Sequence, residues 1–290
     1  MRAPERAEAR PQPVMVGRSV LWGLCFAVAF VVLYVLAVLT PDGQQIDARS
    51  LGQFLWGGVI VESVFPALRV VIPAVLALTA VVIGGIALVR RQWVDVAVTA
   101  GCALLLIVAS GPVRDDILVR PYLGDFAYLA NSFPSRHIVV GLSLGMVSVR
   151  LWPWRSRDRI ARSVIIALVA LLAEVSVVTF AHRVSDVIGA ALFVGVLAPV
   201  VARGRVPRLR RVIGEKAVAL WLLIAAAVVS GSLAAIDVGG AVAFTVLTIA
   251  GVAAACIVVL RIAVDPSRSS LMASWNRPPR SPAGRPQHTP

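Results

Sequence analysis

The chain has 290 residues, 59% of them hydrophobic, and a mean hydropathy of +0.86. That composition excludes a soluble domain, and its apolar runs, which do not alternate with polar residues, exclude a transmembrane β-barrel. The formal net charge of +13 would point a soluble protein toward nucleic acid; here the arginines gather in alternate loops, as the positive-inside rule requires, and no nucleic-acid partner is expected.

Runs of about 20 apolar residues match a hydrocarbon core roughly 30 Å thick at 1.5 Å per residue. Met1 to Gly17 is polar and arginine-bearing, a cytosolic N-terminal segment. Ser19 to Leu39 is too long for a signal-peptide core and lacks a small-x-small cleavage site, so a retained helix is expected. Pro41 to Pro66 reads as an external loop. Within it Leu51, Phe54, Leu55 and Val59 recur at helical spacing, which predicts either a short interfacial helix or an early start of the second span. Further spans are expected at Ala67–Val89, Trp93–Ser110, His137–Trp152, Ser163–Ala181, Val184–Ala202, Ala217–Ile236 and Gly239–Val264. The tail from Asp265 to Pro290 is rich in Pro, Arg and Ser and reads as a disordered cytosolic tail.

The predicted architecture is an all-α polytopic membrane protein. Residues 18–202 form a six-helix core, and residues 203–264 form a basic loop and two additional transmembrane helices. Cys25, Cys102 and Cys256 lie inside apolar runs without disulfide or ligand spacing and read as small core residues. Gly141 and Gly145 have the small-xxx-small spacing of a close helix contact. No cofactor and no metal are expected, and the sequence is silent on oligomeric state.

Arginine placement sets the orientation. Arg2, Arg6, Arg10 and Arg18 precede the first span. Arg90 and Arg91, then Arg150 to Arg162, then Arg203 to Lys216 fall in every second loop thereafter. An even number of spans with both termini cytosolic explains that alternation. The expected site is a multi-pass plasma membrane, with the remaining loops facing outward.

Three outward segments carry the chemistry. The first runs from Arg114 to Pro121, the second is Pro134-Ser135-Arg136-His137, and the third is His182-Arg183-Val184-Ser185-Asp186. An imidazole can attack phosphorus and form a phospho-histidine. A carboxylate four residues on shares its helical face and can fix its tautomer, as Asp186 can for His182. A second imidazole, His137, can protonate the leaving alkoxide. Arg114, Arg120, Arg136 and Arg183 can neutralise phosphoryl oxygens, and Ser135 with the N–H groups opening the fourth span can add donors. Arg114, Asp115 and Asp116 can equally be a solvated loop, and Arg183 can simply meet lipid headgroups. Glu174 lies about 12 Å deeper than His182 at 1.5 Å per residue. A structural pair with Arg69 is the favoured reading for it, with a place in a cavity lining as the other.

This arrangement resembles the type 2 phosphatidic acid phosphatase superfamily, which includes lipid phosphate phosphatases and vanadium haloperoxidases. That family carries Lys-x6-Arg-Pro, Pro-Ser-Gly-His and Ser-Arg-x5-His-x3-Asp. Arg120-Pro121 matches the end of the first motif; Pro134, Ser135 and His137 match the second; His182 and Asp186 match the third. The likeness covers about Leu51 to Val201. Val113 stands at the family lysine, Arg136 at the glycine, and Val175 and Ser176 at the third-motif serine and arginine. The resemblance implies an integral-membrane phosphatase acting on a lipid phosphate or polyprenyl diphosphate without a metal. His182 would be the nucleophile, Asp186 its orienting partner and His137 the general acid, with Arg120 and Ser135 on phosphate oxygens. The missing basic residues keep open an inactive or phosphate-transferring relative that binds anionic lipid.

Overall fold

The computed structural model describes residues 15–52, 63–124, 130–153, 158–202, 251 and 254–260. Among them every regular element is helical. They are α1 (Met15–Val38), α2 (Pro41–Gly52), α3 (Phe65–Val89), α4 (Trp93–Pro112), α5 (Arg136–Leu151), α6 (Asp158–Val178) and α7 (Val184–Val201). A π-helical turn, Val113–Ile117, prolongs α4. Five helices are long and apolar enough to cross a membrane: α1, α3, α4 with its π turn, α6 and α7. The protein is therefore an all-α, multi-pass membrane protein.

The corner between α1 and α2 departs from the sequence expectation. Pro41 opens a helix, not a loop. Thr40 accepts the Gly43 N–H at 3.1 Å and donates to the Leu36 carbonyl at 2.6 Å. Pro41 and Asp42 then fill the first turn, where a missing N–H and a negative charge are both favourable. A side chain at Gly43 would collide with the backbone of Leu36 and Ala37, so the corner needs glycine. The predicted interfacial helix lies mostly outside the described residues, beyond the end of α2. The segment 217–236, most of 239–264, the basic loop before them and both polar tails also lie outside.

At sixteen residues, α5 is the shortest of the expected spans and the central one. It packs against α3, α4, α6 and α7, and twelve of its residues are buried. It meets protein on all these sides, so it has no need of a long, uniformly apolar surface. Gly141 and Gly145 make the approach to α6 possible. A Cβ at Gly141 would lie 2.5 Å from Leu172 Cδ2, and one at Gly145 2.9 Å from Val169 Cγ2. Residues 254–260 are helical and bury Cys256, Val259 and Leu260 in the same core.

The chain order assigns opposite ends of the bundle. One end is tied by Arg150 to Asp95 at 3.3 Å and by Arg90 to the Pro153 carbonyl at 2.9 Å. The other gathers α2, the start of α3, the π turn, the start of α5 and the α6–α7 junction. All the sequence-predicted site residues lie at this second end.

Candidate functional site

Four pins fix the backbone at this end. The Tyr34 hydroxyl donates to the Val119 carbonyl at 2.6 Å and accepts the Val119 N–H at 2.9 Å. The Gln44 amide donates to the Val38 and Pro121 carbonyls at 2.7 and 2.9 Å. Arg120 lies between these two anchored residues. The Asn131 amide donates to the Arg114 and Leu118 carbonyls, each at 2.7 Å, and its oxygen accepts the Phe133 N–H. Phe133 is fully buried against the rings of Phe30 and Tyr34. Its ring occupies the space that a Cβ on Gly189 would need. Gly189→Ala is accordingly expected to push Phe133 and its loop away, costing about 1–3 kcal/mol through overpacking. A thermal unfolding curve in detergent would read this, and an unchanged midpoint would show that Phe133 is not wedged on α7.

Asp186 is the hub. It is fully buried and accepts the Ser132 hydroxyl at 2.5 Å and the Arg183 N–H at 2.8 Å. Its own carbonyl accepts the Ser135 N–H at 3.0 Å, which locks the start of α5 onto the start of α7. Arg120 reaches Asp186 Oδ1 at 3.8 Å and Asp47 Oδ2 at 3.3 Å. Asp47, on α2, also accepts the Ser185 N–H at 3.2 Å and, through Oδ2, the Ser185 hydroxyl. Arg183 donates to the Ser132 hydroxyl at 3.2 Å.

Burial raises the Asp47 carboxyl to about 6, aided by the nearby Asp186 charge and opposed by the Ser185 hydrogen bonds and Arg120. The sign follows from linkage. The unfolded carboxyl ionises near 3.8, so this group's contribution to stability is full below that value and is lost as pH rises through about 6. Going from about pH 7 to about pH 5, the wild type should gain thermal stability relative to Asp47→Asn, which lacks the titrating group. Parallel pH profiles for the two proteins would contradict this.

The two imidazoles meet. The His137 and His182 ring centroids are 5.8 Å apart, with the planes at 57°. His182 is buried, with its N–H on the Ser176 carbonyl and its Nδ1 3.8 Å from Asp186 Oδ2. His137, in the first turn of α5, is exposed. Partial burial first, then the neighbouring His182 and the charges of Arg69, Arg114 and Arg136, hold its pKa below that of a free imidazole.

The predicted binding residues divide. Arg120 and the histidine–aspartate set converge. Ser135 is fully buried and its oxygen caps α5, accepting the Ile138 N–H at 3.5 Å. Arg183 is 1% exposed and belongs to the Ser132 network. It does not lie among headgroups, because the capping geometry of α7 turns it inward. Arg114 binds Asp115 at 2.7 Å, and Arg136, half exposed, lies 3.8 Å from the same carboxylate. Glu174 does not pair with Arg69. The Arg69 guanidinium bonds Thr179 at 3.4 Å, and Glu174 leaves Oε1 buried without a hydrogen bond.

Sequence reasoning missed Asp47 and Ser132. Gln44 and Asp47, one turn apart on α2, could have marked a polar face turned inward. Among the described residues no group of three or more His, Cys, Asp or Glu side chains is placed to hold a metal ion. No protein-family model, curated protein or solved structure matches the chain.

Proposed function

We propose that the protein is an integral-membrane phosphatase that hydrolyses a lipid phosphate or polyprenyl diphosphate through a phospho-histidine. The observation that carries this reading is the His137–His182 pair, 5.8 Å apart, with Asp186 behind one ring. The three-motif resemblance to type 2 phosphatidic acid phosphatases supports the same reading. The alternation of arginine-rich loops supports an extracytoplasmic site in the plasma membrane with both termini cytosolic. Such a site takes its substrate sideways from the outer leaflet.

Asp186 faces Nδ1 of His182, which leaves Nε2 as the attacking atom. Nε2 forms a bond to phosphorus while the bond from phosphorus to the leaving oxygen breaks, an ester bond in a lipid monophosphate and an anhydride bond in a diphosphate, where prenyl phosphate leaves in place of the alkoxide. The bond's electron pair leaves on the alkoxide, and His137, whose imidazolium form the bound phosphate anion favours, gives it a proton. Water then attacks phosphorus and passes its proton to His137. The phosphorus–nitrogen bond breaks, and its electrons return to Nε2. Cations around His137 offset the charge spread over the phosphoryl oxygens.

The test is phosphate release from phosphatidate and from a polyprenyl diphosphate by purified protein in detergent, with and without a chelator. Release that survives the chelator is expected. A second reading, a non-hydrolytic binder of anionic lipid, draws on the occupation of Arg120 by Asp47 and Asp186. Retained binding of lipid phosphate without any release would select it.

A further inference from the structure

The described cations at the site end lie in two layers. The side chains of Arg120 and Arg183 are buried, in the network around Asp186. Arg114 and Arg136 lie further out, one on the π turn and one opening α5, and both face a single carboxylate, Asp115. That carboxylate is divided unequally. Arg114 donates to it at 2.7 Å, whereas Arg136 stands 3.8 Å away, too far for a hydrogen bond. Asp115 is exposed, and so is Asp116 beside it, which forms no ion pair among the described residues. The half-exposed Arg136 guanidinium thus shares an exposed charge that an incoming anion can displace.

Its place on the helix points the same way. The first turn of α5 holds no acidic residue. Arg136 therefore stands at the positive end of a helix dipole, where a cation is disfavoured and an anion favoured. The His137 ring faces His182 at 5.8 Å. The Arg136 guanidinium lies on the α4 side, over Gly111, where a Cβ would be 3.6 Å from its central carbon. The charges of Arg114 and Arg136 both act on His137.

Transfer of phosphorus to His182 puts the leaving oxygen at His137. Whatever that oxygen carries lies beyond His137, at the rim where Arg114 and Arg136 stand. In a lipid monophosphate it carries an alkyl carbon, which has no use for a guanidinium. In a lipid diphosphate it carries a second phosphoryl group, and the electron pair of the broken anhydride bond leaves on that group. A planar guanidinium can meet this growing charge with two parallel hydrogen bonds.

We propose that Arg136, with Arg114 beside it, forms a subsite for the second phosphoryl group of a lipid diphosphate, so that the protein selects diphosphates over monophosphates. Asp115 holds the two guanidiniums at the rim until substrate displaces it from Arg136. This rests on the phosphatase reading above and narrows its substrate class.

The experiment uses the full chain in detergent, with a prenyl diphosphate and the prenyl monophosphate of the same chain as substrates. Inorganic pyrophosphate and phosphate serve as competitive inhibitors. The wild type is expected to favour the diphosphate in kcat/KM, and pyrophosphate over phosphate in binding, by about 10-fold or more. Arg136→Gly should lower that preference about 10- to 100-fold in both measurements, as loss of a charge-assisted contact implies. Arg136→Lys should keep part of it. Asp115→Asn should tighten pyrophosphate inhibition about 2- to 5-fold, because it removes the competing carboxylate; a purely structural ion pair predicts no such gain. A wild type without diphosphate preference, or an unchanged preference in Arg136→Gly, would overturn the inference while the phosphatase reading stands. Should Arg136→Gly fail to fold, unchanged pyrophosphate inhibition in Asp115→Asn would overturn it equally. Pyrophosphate binding that depends on Arg136 in a protein that releases no phosphate would keep the subsite and defeat the enzyme. Neither binding nor release by the wild type would defeat both.

Discussion

Replacing His182 with alanine is expected to lower phosphate release roughly 10³- to 10⁶-fold, because the proposed covalent route needs its Nε2 and no other described group stands in its place. The fold should survive. The His182 backbone N–H stays on the Ser176 carbonyl, and Asp186 keeps the Ser132 hydroxyl and the Arg183 N–H, so its buried charge is not stranded. His137→Ala should behave differently. It removes a proton donor, worth about 10²–10⁴-fold with a poor leaving group. With a nitrophenyl phosphate, whose leaving oxygen needs no proton, most of that loss should disappear. Trapping the phosphorylated enzyme by an alkaline denaturing quench, in which the phosphorus–nitrogen bond survives, should find label in His137→Ala and none in His182→Ala. Equal losses for His137→Ala on both leaving groups would remove its role as the acid. Label retained in His182→Ala would remove the nucleophile assignment.

The parts of this molecule that depend on local pattern were legible in the sequence. α3, α4, α6 and α7 begin or end within a few residues of the apolar runs, because length and hydropathy alone decide which segments can cross a membrane. His137 and His182 stood out because each interrupts an otherwise apolar stretch. α2 was misread although Thr40-Pro41-Asp42 is a helix-opening signature, because its polar composition looks like an exposed loop. The roles of Asp47 and Ser132 could not be read. Asp47 meets Ser185 across 138 residues of chain and Ser132 meets Asp186 across 54, and no local periodicity encodes such contacts. The place of Arg183 stayed open for a related reason. An arginine beside a span end suits headgroups equally well until the cap of α7 turns it inward.

The same network explains why Asp186→Asn should be the most damaging isosteric change in the chain. Asn and Asp have the same shape, so no cavity forms. The loss comes from charge and from donor geometry. The carboxylate receives donors on Oδ2 from Ser132 and the Arg183 N–H, while Oδ1 faces Arg120. An amide can offer an oxygen to only one of these sides. Turned one way, its NH₂ opposes the Arg120 guanidinium; turned the other, it opposes the Ser132 and Arg183 donors. Arg120 is left with Asp47 as its described carboxylate partner, and the first turn of α7 loses the negative charge that its dipole favours. Breaking a buried charged set in this way is expected to destabilise the protein by about 3–5 kcal/mol. Turnover by the proposed route should fall about 10²–10⁴-fold in the fraction that stays folded, since His182 would lose the group that selects its tautomer. Ser132→Ala removes one donor to the same oxygen and should cost only about 1–2 kcal/mol. The double variant Ser132→Ala/Asp186→Asn should therefore be less unstable than the two single losses added together, with a coupling of about 0.5–3 kcal/mol. If the losses add, Ser132 and Asp186 are stabilised independently, and the junction between α5 and α7 is held by packing and not by this carboxylate.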